Sequence, residues 1–555
     1  MRLTLCGLSS QYIHMPLAPF CLKKAVEEAM PDAAVTICDL NINDTKESLL
    51  RALLETNPDA VGLSVYIWNR EMCMLLVRRL KAIRPDLPVI LGGPEVTWSA
   101  EETFAQCPCD YILRGAGEES LPALLQAIAE SGDPCAIPGV CLRSADGIRI
   151  GGVAPAPAPR DDLYDESWHA ALNGRMIYAE TSRGCPFSCA FCLSGQKDRV
   201  QFIPQDKALA MLIRLGSMGG DTVKLIDRTF NCNPARTKYL LGGLIDAHHR
   251  GEIRDVCYHL EVAADLFDEE TLELLRTAPA GLFQMEAGLQ SFHPETLEAC
   301  NRKTDMQRLE SNLRALIGMG NIHLHIDLIA GLPEEDFITF GQSFDKAYGL
   351  RPHQLQLGFL KVIYGSALRE RAWGACFAPD PPYEVLSTPW MTYDQLCALH
   401  DCAEAVERIS NSGRFASALA FALDTLDIRP FDLFMHLGAC MAQRKGRWSL
   451  DALSEMVFDA LLDLGISKAA LQNAMTVDRL ATDNTGYMPP FLGQDMQALK
   501  PHARAWRFAH PEEKHPRLAL SADGKTLFCA VWKEKHPVTE RGEVERISIS
   551  ALDNA

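Results

Sequence analysis

The chain has 555 residues, 47% of them hydrophobic and 23% charged, with a formal net charge of −18. That length suggests two to four domains with sizeable cores. The acidic balance argues against affinity built on a phosphate backbone or an anionic membrane, so neither nucleic acid nor a membrane is expected as a partner; no apolar run reaches spanning length. Nineteen cysteines, scattered and odd in number, fit reduced thiols in a cytoplasm. Met1-Arg2-Leu3-Thr4-Leu5-Cys6 leads straight into a strand-like run, so no signal peptide is expected.

Over the first 150 residues, β-rich runs at 3–8, 35–40, 60–66, 89–93 and 111–115 alternate with helical periodicity at 17–30, 46–55 and 72–83. Such alternation predicts an α/β domain, a doubly wound parallel sheet that binds ligands beyond the carboxyl ends of its strands. The residues falling there are Ser9 to His14 (with Gln11 and Tyr12), then Ser64-Val65-Tyr66, then Gly92-Gly93-Pro94, and Arg114-Gly115-Ala116-Gly117-Glu118. Glycines would let backbone approach a flat ligand, and Ser64 offers a hydroxyl. No G-x-G-x-x-G follows the first strand, which argues against a dinucleotide. Residues 141–150 predict a hairpin turning at Asp146-Gly147, and Val153-Ala154-Pro155-Ala156-Pro157-Ala158-Pro159 predicts a stiff spacer.

From residue 177 the β/α alternation resumes, with strand candidates at 178–181, 222–226, 258–262, 283–287, 323–329 and 354–360. The first would deliver Arg183-Gly184-Cys185-Pro186-Phe187-Ser188-Cys189-Ala190-Phe191-Cys192 at its carboxyl end, where β/α barrels keep their active sites. Three thiolates spaced C-x3-C-x2-C, with no fourth Cys or His beside them, suit an iron–sulfur cluster better than zinc. On a four-iron cluster they would leave one iron open to a substrate or cofactor.

The triplet, with Phe191 before its last cysteine, closely resembles the signature of radical S-adenosylmethionine (SAM) enzymes. That resemblance covers 175 to 371 and implies a partial (β/α)6 barrel. It further implies a 4Fe-4S cluster on Cys185, Cys189 and Cys192, whose open iron chelates SAM. Asp227 resembles the position that accepts hydrogen bonds from the SAM ammonium, and Glu261 the ribose-binding position; an ordinary barrel-interior carboxylate is the alternative for Glu261. Glu286-Ala287-Gly288-Leu289-Gln290-Ser291 resembles the fifth-strand motif of cobalamin-type members, with Gln290 a candidate contact to the SAM carboxylate. Asp327-Leu328-Ile329-Ala330-Gly331-Leu332-Pro333 resembles the sixth-strand motif that packs on adenine through residues such as Ile329; Asp327 could equally be structural. His323 and His325 share one face of their strand. Leu360-Lys361-Val362-Ile363-Tyr364-Gly365-Ser366 again resembles cobalamin-type relatives, with Lys361 facing a substrate anion or solvent and Tyr364 a phenol candidate near the radical.

The N-terminal motifs, placed ahead of this core, resemble its cobalamin-binding domain. Gln11, Tyr12, Ser64, Tyr66, Gly92, Gly93 and Gly115 are the implied cobalamin contacts. The chain departs from the D-x-H-x-x-G pattern of domains that ligate cobalt by histidine. A literal match at Asp246-Ala247-His248-His249-Arg250-Gly251 falls in a helical stretch of the later barrel and reads as chance. Cobalt is thus expected without a protein histidine below it, His14 being the one candidate to overturn that.

Beyond Pro379-Asp380-Pro381-Pro382, apolar steps of three and four predict helices at 392–410, 416–423, 430–445, 449–464 and 468–475. This part resembles an uncharacterised domain that follows some such cores. Strands at 517–531 and 544–550 close the chain. The domain expectation is 1–150 cobalamin domain, 151–174 linker, 175–371 barrel, 372–505 helical and 506–555 β tail.

The resemblance implies a cobalamin-dependent radical SAM enzyme, like the class B methyltransferases. It would cleave SAM reductively to a 5′-deoxyadenosyl radical and methylate an unactivated carbon by way of methylcobalamin. A non-methylating rearrangement, cyclisation or oxidation with the same cofactors is the alternative, and a non-catalytic cobalamin sensor the alternative of another class. Expected partners are a small-molecule, lipid-like or peptide substrate and a flavodoxin- or ferredoxin-type reductant.

Overall fold

A computed structural model describes residues 1–552 except 145–146, 165–167, 170–171, 173, 196–198, 445, 484, 514 and 532–534. The chain forms two compact units, the first comprising 1–284, 298–305 and 360–386, the second 285–297, 306–359 and 387–555.

The first unit opens with β1 (Arg2–Ser9), α1 (Leu17–Ala29), β2 (Ala34–Asn41), α2 (Lys46–Glu55), β3 (Ala60–Ser64), α3 (Arg70–Ile83) and β4 (Val89–Gly92). It continues through α4 (Pro94–Thr97), α5 (Ala100–Gln106), β5 (Tyr111–Leu113), α6 (Gly117–Glu130), β6 (Val140–Ser144) and β7 (Gly147–Arg149). The strand order is β2-β1-β3-β4-β5-β6-β7, parallel through β5 and antiparallel beyond. Asp146, expected at the β6–β7 turn, lies outside the described residues. Period-two alternation explains the two layers. Leu3 and Leu5 pack with Val26, Leu121 and Leu124 of α1 and α6. Their neighbours Cys6 and Leu8 pack on the opposite face with Leu49, Leu53, Leu76 and Val77 of α2 and α3. The chain leaves β1 for β2 on one side and returns to β3 on the other, so the crevice opens where β1 and β3 end.

The same unit holds β8 (Ile177–Ala179), β9 (Ser182–Arg183), β10 (Gln201–Phe202), β11 (Thr222–Leu225) and β12 (Cys257–Val262). Of these β8, β11 and β12 are parallel neighbours, with Val223 opposite both Ile177 and Tyr258. Helices Gln205–Gly216 and Pro234–His249 provide the crossovers. The proline-rich run at 153–159 lies within this unit. Ala154 is buried, and its N–H donates to Arg114 O at 2.9 Å.

The second unit carries most of β13 (Phe283–Gln290), then β14 (His323–Ala330) and β15 (Gln354–Phe359), in the order β15-β14-β13. Asp327 pairs with Gln356 in the parallel β14–β15 ladder. Six β/α strands are thus present where six were expected. The helices Tyr393–Ala405, Ala416–Thr425, Pro430–Ala442, Leu450–Asp463 and Lys468–Thr482 follow, and a three-stranded antiparallel sheet starting at Arg517 closes the unit. No helix among the described residues is long and apolar enough to cross a membrane.

Candidate active site

The cysteine loop springs from a two-rung antiparallel ladder in which Arg183 pairs with Gln201 and Ser182 with Phe202. Backbone contacts fix its path: Ala190 N–H donates to Cys300 O at 2.8 Å, Leu368 N–H to Ala190 O at 2.9 Å, and Cys192 N–H to Cys189 O at 3.0 Å. Gly195 lies so close beneath that a Cβ there would fall 1.8 Å from Phe187 O. Each thiol has a polar neighbour: Thr229 Oγ1 at 3.4 Å from Cys185 Sγ, the Arg302 guanidinium at 3.6 Å from Cys189 Sγ, and the Ser194 N–H at 3.4 Å from Cys192 Sγ. Burial raises the Cys189 thiol pKa, the other two cysteines add to the rise, and Arg302 opposes it. Among the described residues no three His, Cys, Asp or Glu side chains are placed to hold one metal ion. A four-iron cluster makes no such demand, because each thiolate binds its own iron. The Arg302 guanidinium and the Ser194 N–H donate to sulfur, and such bonds are what a cluster ligand set uses to tune its potential, so the thiolate set fits.

Asp227 sits behind the loop, 1% exposed. It accepts from Thr181 N at 2.7 Å, Thr181 Oγ1 at 2.5 Å and Ser182 Oγ at 2.7 Å. Burial raises its pKa and those donors oppose the rise. The carboxylate expected to meet the SAM ammonium is therefore already engaged with the strand end that launches the cysteine loop. Glu261 is half-buried in β12, its carbonyl accepting from Phe230 N–H at 2.8 Å, and Phe191 is half-buried in the loop.

A cavity of about 810 Å³ opens within the first unit, of the size that small-molecule sites use. Ser64, Tyr66, Gly92, Gly93 and Gly115 line one side; Tyr178, Glu180, Arg183, Gly184, Ser194 and Arg228 also line it. Five of the seven expected cobalamin contacts thus share a wall. Gln11 and Tyr12 do not join them: both are exposed, Tyr12 by 64%, and the Tyr12 carbonyl and ring hold the Arg175 guanidinium instead. The glycines also answer to a constraint that was not expected. A Cβ on Gly93 would stand 2.5 Å from Val65 O, and one on Gly115 2.3 Å from Ala154 O, both at positive φ. Two wall glycines are therefore required by the protein's own backbone. Gly92 alone keeps its Cβ direction open, with nothing nearer than 3.9 Å, and leaves the cradle a flat ring needs.

Three lining side chains form a bridge that sequence reasoning missed. Arg183 donates to Glu180 at 2.6 and 2.9 Å, to Glu118 of α6 at 2.7 Å and to Pro157 O at 3.2 Å. The Arg-Gly-Ala-Gly-Glu run and the residue before the cysteine motif were both visible, but nothing in a sequence announces a pair 65 residues apart. His14 lines the cavity and its Nδ1 lies 2.7 Å from the Tyr178 hydroxyl; burial lowers its pKa, and the charges of Lys224 and Arg175 add to this. His248, read as a chance match, ends the helix Pro234–His249 and does not line the cavity.

Lys361 is exposed and its backbone pairs with that of Glu384 in an isolated antiparallel β-bridge, while Tyr364 lies under the Arg369 guanidinium at 3.6 Å. In the second unit, Gln290 ends β13 with φ +73 and its buried Oε1 finds no hydrogen-bond partner among the described residues. A ligand contact would satisfy such a strained, buried amide oxygen. Ile329 is half-buried near the end of β14, and Asp327 stands 3.0 Å from His325 Nε2, the structural alternative for that carboxylate. Glu335 is fully buried, held by Ser291 Oγ at 2.5 Å and Ser343 Oγ at 3.0 Å; burial pushes its pKa up to about 7.

Residues 4–125 match the family model described as a B12 binding domain, and 179–347 that of the radical SAM superfamily. Residues 371–519 match a protein family of unknown function, DUF4080. The chain is 24% identical over 309 residues to the uncharacterized methyltransferase PH0819 of Pyrococcus horikoshii, covering 54% of this chain and 64% of that one. It is 25% identical over 352 residues to the anaerobic magnesium-protoporphyrin IX monomethyl ester cyclase of Rubrivivax gelatinosus, covering 57% and 59%. The chain thus spans less than two thirds of either relative. The radical S-adenosylmethionine methyltransferase TsrM of Kitasatospora setae, solved with tryptophan substrate and a SAM analogue, shares the fold. Its TM-score is 0.54 at 20% identity, over 69% of this chain and 80% of TsrM. The chain thus joins a stretch matching a B12 binding domain to a following stretch matching the radical SAM superfamily.

Proposed function

We propose that this chain is a cobalamin-dependent radical SAM enzyme that methylates an unactivated carbon. The observation that carries the reading is the cavity of about 810 Å³ in the first unit. Its walls include the glycine-rich strand ends of the B12-binding domain together with Arg183, Gly184 and Ser194 around the cysteine loop. When bound, the cluster and SAM would supply a 5′-deoxyadenosyl radical for hydrogen abstraction and cobalamin the methyl group to be transferred. The chain's own residues hold and orient. Cys185, Cys189 and Cys192 would carry the 4Fe-4S cluster, with Arg302, Thr229 and Ser194 N–H as neighbours of the sulfurs. Asp227 acts as a positioning residue, through Thr181 and Ser182. Phe191, Glu261, Gln290 and Ile329 remain the SAM contacts assigned, and Ser64, Tyr66, Gly92, Gly93 and Gly115 the cobalamin seat. The cavity wall keeps reacting groups out of bulk water.

The assignment of 1–150, 151–174, 175–371, 372–505 and 506–555 as cobalamin domain, linker, barrel, helical domain and tail belongs to the same proposal. So do a small-molecule, lipid-like or peptide substrate, a flavodoxin- or ferredoxin-type reductant and a cytoplasmic location. Anaerobic incubation of the reconstituted chain with SAM, cobalamin and a small-molecule extract tests the reading. A product heavier by one methylene, formed with 5′-deoxyadenosine, supports it. The likeness to a cyclase favours one alternative, a radical ring closure, for which product appears without that mass gain. No 5′-deoxyadenosine at all would leave a cobalamin-binding sensor.

A further inference from the structure

We infer that the substrate of this cavity carries a carboxylate or phosphate group and that Arg228 is its partner; the inference rests on the cavity being the reaction site. Five carboxylate or guanidinium side chains line it: Glu118, Glu180, Arg183, Arg199 and Arg228. Both acids are spent on Arg183, at 2.7 Å from Glu118 and 2.6 Å from Glu180. That leaves a positive wall inside a chain whose net charge is −18. The Arg228 guanidinium makes no hydrogen bond or ion pair with any described residue. Its backbone is nonetheless fixed: the Thr229 hydroxyl donates to Arg228 O at 2.7 Å and stands 3.4 Å from Cys185 Sγ. Arg228 therefore follows the carboxyl end of β11, beside the cysteine loop, and its charge is felt by the Tyr66 phenol of the cobalamin-side wall. Arg228 is exposed and lines the cavity, and a guanidinium so placed and left unneutralised is a fork for a planar or tetrahedral oxyanion. The corrin seat lies on the glycine strand ends, whereas Arg228 belongs to the β/α wall that must present the reacting carbon.

Anions on SAM or on the cobalamin nucleotide share that chemistry, and the experiment separates the three sources. The cluster-loaded chain is treated with phenylglyoxal without cobalamin, with cobalamin, and with cobalamin and SAM, and Arg228 modification is mapped by peptide mass. The proposal expects Arg228 to be labelled in both loaded states, and labelling to fall severalfold with inorganic phosphate or acetate but not with chloride at equal ionic strength. Protection by cobalamin alone, protection by SAM alone, or no protection by either oxyanion would each overturn it. In parallel, Arg228→Gln should keep cobalamin and substrate-free 5′-deoxyadenosine formation. It should lower product from the anion-exchange-retained fraction of an extract about tenfold or more, with Arg228→Lys intermediate. Product arising from the unretained fraction overturns the anion alone. Absence of product from every fraction counts against the enzyme reading, while the labelling result still decides the inference.

Discussion

Replacing Arg183 by Met tests whether the bridge across the cavity wall is structural in the way its geometry implies. The substitution removes four hydrogen bonds, two to Glu180, one to Glu118 and one to Pro157 O. It leaves two carboxylates, 15% and 14% exposed, without their cation. Removing one partner of a fully buried pair costs about 3–5 kcal/mol; here the acids line a cavity and keep some water, so about 2–4 kcal/mol is expected. Urea unfolding of the chain should resolve a transition that moves with cobalamin concentration, which identifies the unit that binds it. Arg183→Met should destabilise that transition by this amount and loosen cobalamin retention. Neutralising both acids in the same background, Glu118→Gln with Glu180→Gln, should restore more than half of the loss, since the penalty lies in the stranded charges. A single variant within about 0.5 kcal/mol of the parent, the range of an ordinary surface change, would refute the reasoning. So would a triple variant as unstable as the single.

Gly93→Ala should abolish cobalamin retention, because its Cβ would sit 2.5 Å from Val65 O at φ +115; cobalamin co-elution on gel filtration reads it. Gly195→Ala, whose Cβ would meet Phe187 O at 1.8 Å, should lower iron per chain while sparing cobalamin; iron and corrin assays after reconstitution check both. Cys189→Ala should remove SAM cleavage with the cobalamin spectrum unchanged. Glu335 titrates near pH 7 in the fold, against 4.5 ordinarily. The folded state favours its neutral form, so its stabilisation is full below about pH 4.5 and is lost as pH rises through 7. That amounts to about 2–4 kcal/mol. Glu335→Gln should flatten the pH dependence of unfolding between pH 5 and 8, and an unchanged slope would contradict the assignment.

The parallel strands of the B12-binding domain were legible because burial on both faces writes near-continuous apolar runs. Their ends were less so: the run through Tyr66 stops at Ser64, where the chain turns into the cavity. A second constraint on Gly93 and Gly115 stayed hidden, because the crowding atoms are carbonyls of Val65 and Ala154, far off in sequence. Asp227 was placed correctly at a strand end, but its partners, Thr181 and Ser182, depend on how two strands meet. The same limit hid the Glu118–Arg183–Glu180 bridge and the lone Arg228, since sequence names charges without saying which of them are already neutralised. Tyr12 misled through proximity: it follows β1, yet the Arg175 guanidinium turns that loop into a brace.

In the proposed function, corrin and cluster face one cavity, whose lining includes Gly184 and Ser194 on either side of the cysteines. Electron paramagnetic resonance of the chain loaded with cob(II)alamin and the one-electron-reduced cluster measures this without a substrate, because two unpaired spins a short way apart broaden and relax each other. The account predicts a corrin signal that relaxes faster once the cluster is reduced, and that reverts in Cys189→Ala. A corrin signal indifferent to cluster reduction would contradict it.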